Sequence, residues 1–199
     1  MTKPLLTTFV GGLAGPWAVD RIDTIAGRGL PYVPHLAVVE GGAPRLPSHP
    51  VWALRGVVDH ERYATRVELE DLARRQAPLG RPTASRAALI PITKSQAWWH
   101  LGQDERRAIF EETSHHIAIG TEYLPAVARR LHHSRDLGEP FDFLTWFEFA
   151  PEHEAAFEAL VSRLRAAEEW SYVVREVDIR LKRSMESASD YSGKGSAST

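Results

Sequence analysis

The chain has 199 residues, of which 24 are basic and 26 are acidic, and it contains no cysteine. Because the charges nearly cancel and the basic residues are spread along the chain, we predict neither a nucleic acid nor an anionic membrane as partner. The lack of cysteine excludes disulfides, iron–sulfur clusters, thiolate-ligated or covalently attached haem and thiol nucleophiles, so a metal here must use histidine or carboxylate ligands.

The length suits one good core, or two half-size units that share an interface, and we expect one compact unit. No run approaches the ~20 apolar residues that a spanning helix needs. The N-terminal segment MTKPLLTTFVGGLAGPWAVD has a short apolar patch interrupted by glycine and proline, which makes a poor secretory signal, so we predict a cytoplasmic location. Residues 185–199 are small and polar and are predicted to be a disordered tail.

The first part of the chain is punctuated by glycine and proline. Short apolar runs at residues 36–39 and 51–58 predict two strands. Residues 61–80 carry apolar side chains at near-helical spacing and end in a proline–glycine stop signal, which predicts a helix. Residues 86–93 return to an extended apolar pattern, so a further strand is expected there.

The next segment holds two features that matter for function. A helix is predicted from Asp104 to His116, and Gly120 and Pro125 mark a break after it. Residues 126–131 then resume helical character. We therefore expect two helices that are separated by a turn.

The remaining elements carry the clearest periodic signals. Residues 141–149 alternate aromatic with other side chains, as a half-buried strand does. Pro151 is well placed at the start of a helix with an apolar stripe, and residues 173–181 alternate apolar with charged side chains in a last strand. Two α+β halves of similar order, residues 1–95 and 96–184, predict two ferredoxin-like units, although no residue-level repeat is visible.

Nine histidines are present, and four of them form adjacent pairs at positions 115–116 and 132–133. Neighbouring residues on a helix point about 100° apart, so such a pair makes no chelating face by itself. From composition and spacing alone, each of these histidines is more typical of a solvated or hydrogen-bonded surface residue than of a ligand.

The stretch of about 85 residues from Trp98 to Leu181 contains WWHLGQDERRAIFEETSHHIAIGTEYLPAVARRL, GEPFDFLTWFEFAPEHEAAF and LRAAEEWSYVVREVDIRL, and LIPITKS precedes it. These segments resemble the short, dimeric branch of the chlorite dismutases, which are haem b enzymes. The resemblance implies a dimeric α+β barrel built from two ferredoxin-like halves, with haem b and its iron as cofactor. It also implies a homodimer that converts chlorite to chloride and molecular oxygen with formation of an O–O bond.

The same resemblance implies roles for three residues. His116, the second histidine of TSHHIA, matches the iron ligand, and Arg129, 13 residues later in YLPAVARR, matches the arginine that holds chlorite. Glu169 in LRAAEEW matches the carboxylate that fixes the ligand histidine, with Glu168 as its competitor. In one straight helix 13 residues would separate the ligand and the arginine by about 20 Å, so the chain must turn between them.

Three further residues are predicted to line the haem pocket by the same match. They are Ile90, Trp98 and, with less support, Tyr63. An indole N–H suits a haem propionate, although core packing explains Trp98 or its neighbour Trp99 equally well.

Three alternatives stay open. The first is a coproheme decarboxylase of the same superfamily, which typically has a longer chain and glutamine where Arg129 stands. The second is a haem-binding or peroxidase-like barrel with another substrate, because a fold and a pocket can outlast a particular reaction. The third is a non-haem barrel whose histidine pairs are surface features.

Overall fold

Eight antiparallel strands close into a barrel, and the computed structural model describes residues 5–41, 49–58 and 64–184 of the chain. The strands are β1 (Leu5–Gly12), β2 (Trp17–Ala26), β3 (His35–Glu40), β4 (Trp52–Val58), β5 (Arg86–Lys94), β6 (Ala128–His133), β7 (Phe143–Phe149) and β8 (Val173–Arg183). The helices are α1 (Arg66–Arg75), α2 (Gln96–His100), α3 (Gln103–Arg107), α4 (His116–Glu122) and α5 (Glu154–Arg165). Among these helices none is long and apolar enough to cross a membrane.

The barrel is made of two ferredoxin-like halves. Around it the strands follow the order β1-β3-β2-β8-β5-β7-β6-β4. In each set of four, the fourth strand lies beside the first, the first beside the third, and the third beside the second. The second set has the helices of a β-α-β-β-α-β unit, because α2 to α4 follow β5 and α5 follows β7. The predicted α+β class with two ferredoxin-like halves is thus confirmed, while the predicted limits at residues 95 and 184 stay predictions.

The protein has two apolar layers, and strand β5 belongs to both. The inner layer contains residues of both halves, whereas the outer layer contains residues of the second half. Its residues Ala87 and Leu89 pack inside the barrel, whereas Ala88 and Ile90 pack outside, under helix α5. A strand that is covered on both faces reads as a continuous apolar run, as residues 86–93 do. The outer layer consists of side chains from β5, β7 and α5, and it forms the floor of the cavity described below.

Most of the predicted elements are confirmed. The runs at 36–39 and 51–58 are β3 and β4, and the extended segment at 86–93 is β5. The helix predicted over residues 61–80 is shorter: α1 begins after Thr65, whose side chain and that of Glu68 form a reciprocal capping box, and it ends at Arg75 with Gln76 as its C-cap. Residues 61–63, which include Tyr63, and the predicted tail at 185–199 lie outside the described residues.

Strands β1 and β2 were missed. Their sequences, LLTTFVGG and WAVDRIDTIA, lie largely in the glycine-interrupted segment that was interpreted only as a poor secretory signal. Strand β1 pairs with both β3 and β4 and is therefore an internal strand of its half of the sheet. Its Thr7 and Thr8 side chains are buried although they are polar. The sequence therefore does not alternate between apolar buried residues and polar exposed residues.

The prediction that residues 126–131 are helical is wrong. Residues 128–133 form β6, which pairs with β7 along its whole length. The sequence ARRLHH has no β-branched residue, so pairing with a neighbouring strand overrides its local preference. The helix predicted from Asp104 is also interrupted, by a π-helical turn over residues 108–113 and by His115 in the left-handed conformation.

The charged positions of β8 do not face solvent as simple alternation would suggest. Glu176, Asp178 and Arg180 are all buried. Arg165, at the end of α5, donates to the Glu176 and Asp178 carboxylates. Arg180 pairs with Asp178 and with Glu158 of α5. The helix thus covers a charged face whose members neutralise one another.

The barrel interior contains a histidine that should make stability depend on pH. His132 is 1% exposed, lies edge-on to Phe9 and has Nδ1 3.1 Å from the Leu144 carbonyl oxygen. Burial, with a contribution from the Arg130 cation, lowers the pKa of His132 from 6.5 to about 4. On unfolding the ring regains its ordinary affinity for protons, so the unfolded chain is favoured as the pH falls below 6.5.

We expect His132 to remove about 2 kcal/mol of stability between pH 6.5 and pH 5. Urea unfolding of wild type and His132→Asn across this range measures the effect as a difference in slope. His100→Asn, which changes an exposed histidine, should keep the wild-type slope. Equal slopes in wild type and His132→Asn would contradict the prediction.

Candidate functional site

A cavity of about 280 Å³ lies outside the barrel, between the outer face of strands β5, β7 and β6 and the helices α1, α4 and α5. The strand register arranges its floor in rows. One row runs from Ile90 through Thr145 to Leu131, and the next ends in Phe147 and Arg129. The walls are mainly apolar, and only a few charged side chains line the cavity. A charged ligand would therefore interact mainly with those few side chains.

His116 enters the cavity at the first residue of α4. The π-helical turn before it places Phe110 in a stacked contact with the imidazole, with 4.3 Å between the ring centroids. The Glu111 carboxylate accepts hydrogen bonds from the backbone N–H groups of Ile117 at 2.6 Å and Ala118 at 3.2 Å. These bonds satisfy the free donors at the helix start and fix the place from which the His116 side chain projects.

Glu169 holds the His116 ring. Its Oε2 lies 2.7 Å from His116 Nδ1, and its Oε1 accepts a 2.7 Å bond from the Lys94 ammonium. Its own backbone N–H donates to Ser114 Oγ, which joins the turn that carries Glu169 to the start of α4. Burial would raise the pKa of the Glu169 carboxyl, but His116 and Lys94 together outweigh burial and lower it to about 2. The group is therefore a carboxylate at neutral pH.

Lys94 was missed in the sequence, although the quoted segment LIPITKS contains it. The ammonium is buried, lies 4.6 Å from the centroid of the Trp98 ring and donates to both the carboxylate and the backbone carbonyl of Glu169. Burial lowers the pKa of Lys94, and the Glu169 carboxylate opposes that change. The sequence did contain a signal for Lys94, because it is the last residue of a strand that is otherwise mostly apolar. A lysine that is buried with such a strand needs a partner of opposite charge.

Arg129 enters the cavity from β6. Its backbone is fixed by pairing with Phe147 and by a 2.5 Å hydrogen bond from the Gln76 side-chain amide to its carbonyl oxygen. Its guanidinium reaches α4, where it lies against the backbone of Gly120. The turn predicted between His116 and Arg129 is present, because α4 ends at Glu122 and β6 begins at residue 128.

Five of the six predicted site residues line this one cavity: Ile90, Trp98, His116, Arg129 and Glu169. The sixth, Tyr63, lies outside the described residues. Between the two candidate carboxylates, Glu168 is exposed and Glu169 is the one that contacts His116. The functional roles of these residues stay predictions.

The two histidine pairs also separate by environment. His115 is exposed, while His116 lines the cavity. In the second pair both rings are buried in β6, so the expectation of surface histidines is wrong there. A strand sends neighbouring side chains to opposite faces, and accordingly His132 packs inside the barrel and His133 lines the cavity.

The donor set fits a haem iron with one protein ligand. With Nδ1 of His116 engaged by Glu169, Nε2 is the ring nitrogen left to bind a metal, and a carboxylate on Nδ1 is the usual support for a metal-bound histidine. Within the described ranges no group of three or more His, Asp or Glu side chains could hold a metal ion. A haem needs no such group, because the macrocycle brings four nitrogen ligands of its own.

Comparison with known proteins gives a consistent result. The family model described as chlorite dismutase matches residues 46–184. The solved structure of a dimeric chlorite dismutase from Nitrobacter winogradskyi is 57% identical, covers 89% of this chain and 99% of that chain, and has a TM-score of 0.83. A mutant chlorite dismutase from Candidatus Nitrospira defluvii is 20% identical, covers 92% of this chain and 93% of that one, and has a TM-score of 0.61, which shows the fold alone.

A curated chlorite dismutase from Ideonella dechloratans is 34% identical over 89 residues. The matched segment is 45% of this chain but only 29% of that protein, so the chain spans less than a third of that relative.

The pairing of Lys94 with Glu169 makes a prediction for stability. Glu169→Ala leaves a buried ammonium without its carboxylate, so we expect it to lower the free energy of unfolding by about 3–5 kcal/mol. The double variant Lys94→Met/Glu169→Gln, which removes both charges, should cost much less. Denaturant unfolding of the haem-free protein measures both.

The exposed pair Arg66–Glu70 provides the matched control, since it is an ion pair in solvent and Glu70→Ala should change stability by less than about 1 kcal/mol. A Glu169→Ala variant as stable as the double variant would show that the buried pair has no such role.

Proposed function

Because the chain belongs to the chlorite dismutase family, we propose that it binds haem b through His116 and converts chlorite to chloride and molecular oxygen. The observation that carries the proposal is one cavity that brings together a histidine from helix α4, supported by a buried carboxylate, and an arginine from strand β6. The dimeric relative, which is 57% identical, supports the same assignment.

In this proposal His116 would hold the haem iron through Nε2, because its Nδ1 is engaged by Glu169. Glu169 accepts the Nδ1 proton, which fixes the tautomer and the orientation of the ring and makes the imidazole a more basic ligand. Lys94 keeps Glu169 ionised and in place. Because both carboxylate oxygens are occupied, Glu169 cannot rotate away from His116 without losing a bond to Lys94.

Arg129 binds the substrate in this proposal. Chlorite is an anion with two oxygen atoms, and a guanidinium is always cationic and presents several donors in one plane. A fixed cation in an apolar cavity stabilises negative charge more strongly than the same cation in water. Haem, when bound, would supply the redox-active iron at which the Cl–O bonds are broken and the O–O bond is formed. The apolar walls from β5 and β7 would keep water away from that reaction.

We also propose that the protein is a homodimer, as the Nitrobacter winogradskyi relative is described. Light scattering on the purified protein should give twice the chain mass of 22.3 kDa. A single-chain mass at micromolar concentration would reject the dimer without affecting the proposed reaction.

The test of the ligand is His116→Ala. We expect this variant to fold but to lose the Soret band after haem reconstitution, because it removes the imidazole that Glu169 holds in the cavity. His100→Ala, which changes an exposed histidine, should keep the band. A full Soret band in His116→Ala would show that another residue ligates the iron, or that haem is bound elsewhere.

The test of the reaction is oxygen release from chlorite by the haem-loaded protein, followed with an oxygen electrode. Arg129→Ala should keep the Soret band and lose about 10- to 100-fold in kcat/KM, because a charge-assisted hydrogen bond contributes about 1.5–3 kcal/mol.

Arg86→Ala, which removes a strand arginine that pairs with Asp20, serves as the matched control and should retain wild-type turnover. A clean haem spectrum without oxygen release in the wild type would favour a peroxidase-like or haem-handling member of the superfamily.

A further inference from the structure

The turn between the π-helical segment and α4 has an unusual backbone directly before the predicted ligand. His115 has φ 52° and ψ 37°, a left-handed conformation that is uncommon for residues other than glycine. Its side chain is exposed, so packing of the imidazole does not account for this conformation. The contacts made by the neighbouring residues must therefore hold the backbone of His115 in place.

The left-handed residue lets the side chains on either side of it reach the same partner. Ser114 Oγ accepts a 2.9 Å hydrogen bond from the Glu169 backbone N–H, and His116 Nδ1 lies 2.7 Å from the Glu169 carboxylate. In a continuous helix, side chains two positions apart point about 200° apart, so Ser114 and His116 would face different sides. The left-handed conformation of His115 allows both of them to contact Glu169.

The Glu111 residue connects the two sides of this turn. Its carboxylate accepts hydrogen bonds from the backbone N–H groups of Ile117 at 2.6 Å and Ala118 at 3.2 Å, which follow the left-handed residue. Its own carbonyl oxygen accepts a 3.0 Å hydrogen bond from the His115 N–H. One residue thus binds the chain at the left-handed position and directly after the predicted ligand.

We propose that Glu111 and His115 are positioning residues for His116: the Glu111 carboxylate and the left-handed backbone of His115 hold the turn that keeps the His116 imidazole in contact with Glu169. The imidazole of His115 takes no part, because only the backbone conformation at this position is used. The proposal rests on the proposed function only in that His116 is taken to hold the haem iron.

The turn lies beside the cavity and not in it. Glu111, Ser114 and His115 are not among the residues that line the cavity. The contact with Glu169 uses Nδ1 of His116, whereas Nε2 is the nitrogen left for the iron. A haem bound in the cavity would therefore not take the place of any group that forms the turn.

Two variants disturb the turn in different ways. Glu111→Ala removes the acceptor of the Ile117 and Ala118 N–H groups, and His115→Val opposes the left-handed conformation, which a β-branched residue rarely adopts. Both variants should fold and bind haem. The haem should transfer to an excess of apomyoglobin about 10-fold faster than from the wild type, because a histidine that is poorly oriented by its carboxylate is a weaker ligand.

A vibrational measurement separates positioning from a general loss of stability. The hydrogen bond to Glu169 makes the His116 imidazole more basic and strengthens its bond to iron. The iron–imidazole stretching frequency of the reduced, haem-loaded protein, measured by resonance Raman spectroscopy, should therefore be lower in both variants than in the wild type. In the haem-free protein, Glu111→Ala should also speed amide hydrogen exchange at Ile117 and Ala118.

Matched variants provide the controls. Glu112→Ala, which changes the exposed neighbour of Glu111, should keep the wild-type transfer rate and stretching frequency. His115→Gly should keep them as well, because glycine adopts positive φ readily. In Glu111→Ala/His115→Gly, glycine should recover part of the loss, since it needs less support to adopt the left-handed conformation. A general weakening of the start of α4 would instead make this double variant lose haem faster than Glu111→Ala.

Several outcomes would overturn the proposal. A wild-type transfer rate and stretching frequency in Glu111→Ala or in His115→Val would do so, and so would a double variant that loses haem faster than Glu111→Ala. If Glu111→Ala binds no haem, the double variant should bind it, and its failure would also count against the proposal.

The failure of the proposed function has different signs. Haem binding without oxygen release in the wild type would reject the proposed reaction but not the positioning, because the transfer rate and the stretching frequency report on the ligand and not on turnover. If the wild type binds no haem, the proposed function is rejected. Hydrogen exchange in the haem-free protein then tests the turn alone, and unchanged exchange at Ile117 and Ala118 in Glu111→Ala would overturn the role of Glu111.

Discussion

The buried Glu169 carboxylate is the interaction on which the site depends. A lone carboxylate in such a place would take up a proton or force its segment into solvent. Here one oxygen faces His116 and the other faces Lys94, and both partners come from parts of the chain far from residue 169. The position of the Glu169 turn, the end of β5 and the start of α4 are consequently fixed by one set of charges.

The barrel explains how one short chain can have both a core and a site. A strand sends alternate side chains to opposite faces. In β6, His132 and Arg130 face the interior side, where Arg130 pairs with Glu40 of β3, while Arg129 and Leu131 face the cavity. The interior layer joins the two halves, and the outer face of the second half is left for helices and for a ligand.

The elements that could be predicted from the sequence are those whose pattern and burial agree. Helix α5 has a clear period and buries the face that the period indicates. Strand β7 was predicted from its alternating aromatic residues, but the expectation that it is half-buried is wrong, because both of its faces are buried. Strand β6 lacks such a pattern and depends on its pairing with β7, so residues 126–131 were assigned to a helix. The charges of β8 alternate as in a surface strand, yet helix α5 covers them, and no local pattern reveals which face another element will cover.

The candidate site was found by resemblance and not by physical pattern. Composition and spacing favoured solvated surface histidines, and the match in TSHHIA and LRAAEEW singled out His116 and Glu169. The resemblance favoured Glu169 and left Glu168 as its competitor, and of the two only Glu169 is buried. It also did not reveal the role of Lys94, because that role depends on a contact between elements distant in sequence.

The segment that carries Glu169 is held from a second side, which links the charges under α5 to the site. The Trp170 indole donates to Glu176 Oε2 at 2.8 Å, and Arg165 donates to the other oxygen of the same carboxylate. Because Trp170 follows Glu169 directly, a shift of α5 relative to β8 would be transmitted to the carboxylate that orients His116. The buried charges of β8 thus hold the Glu169 turn against the barrel, and replacing them with apolar residues would remove this restraint even if the core packed equally well.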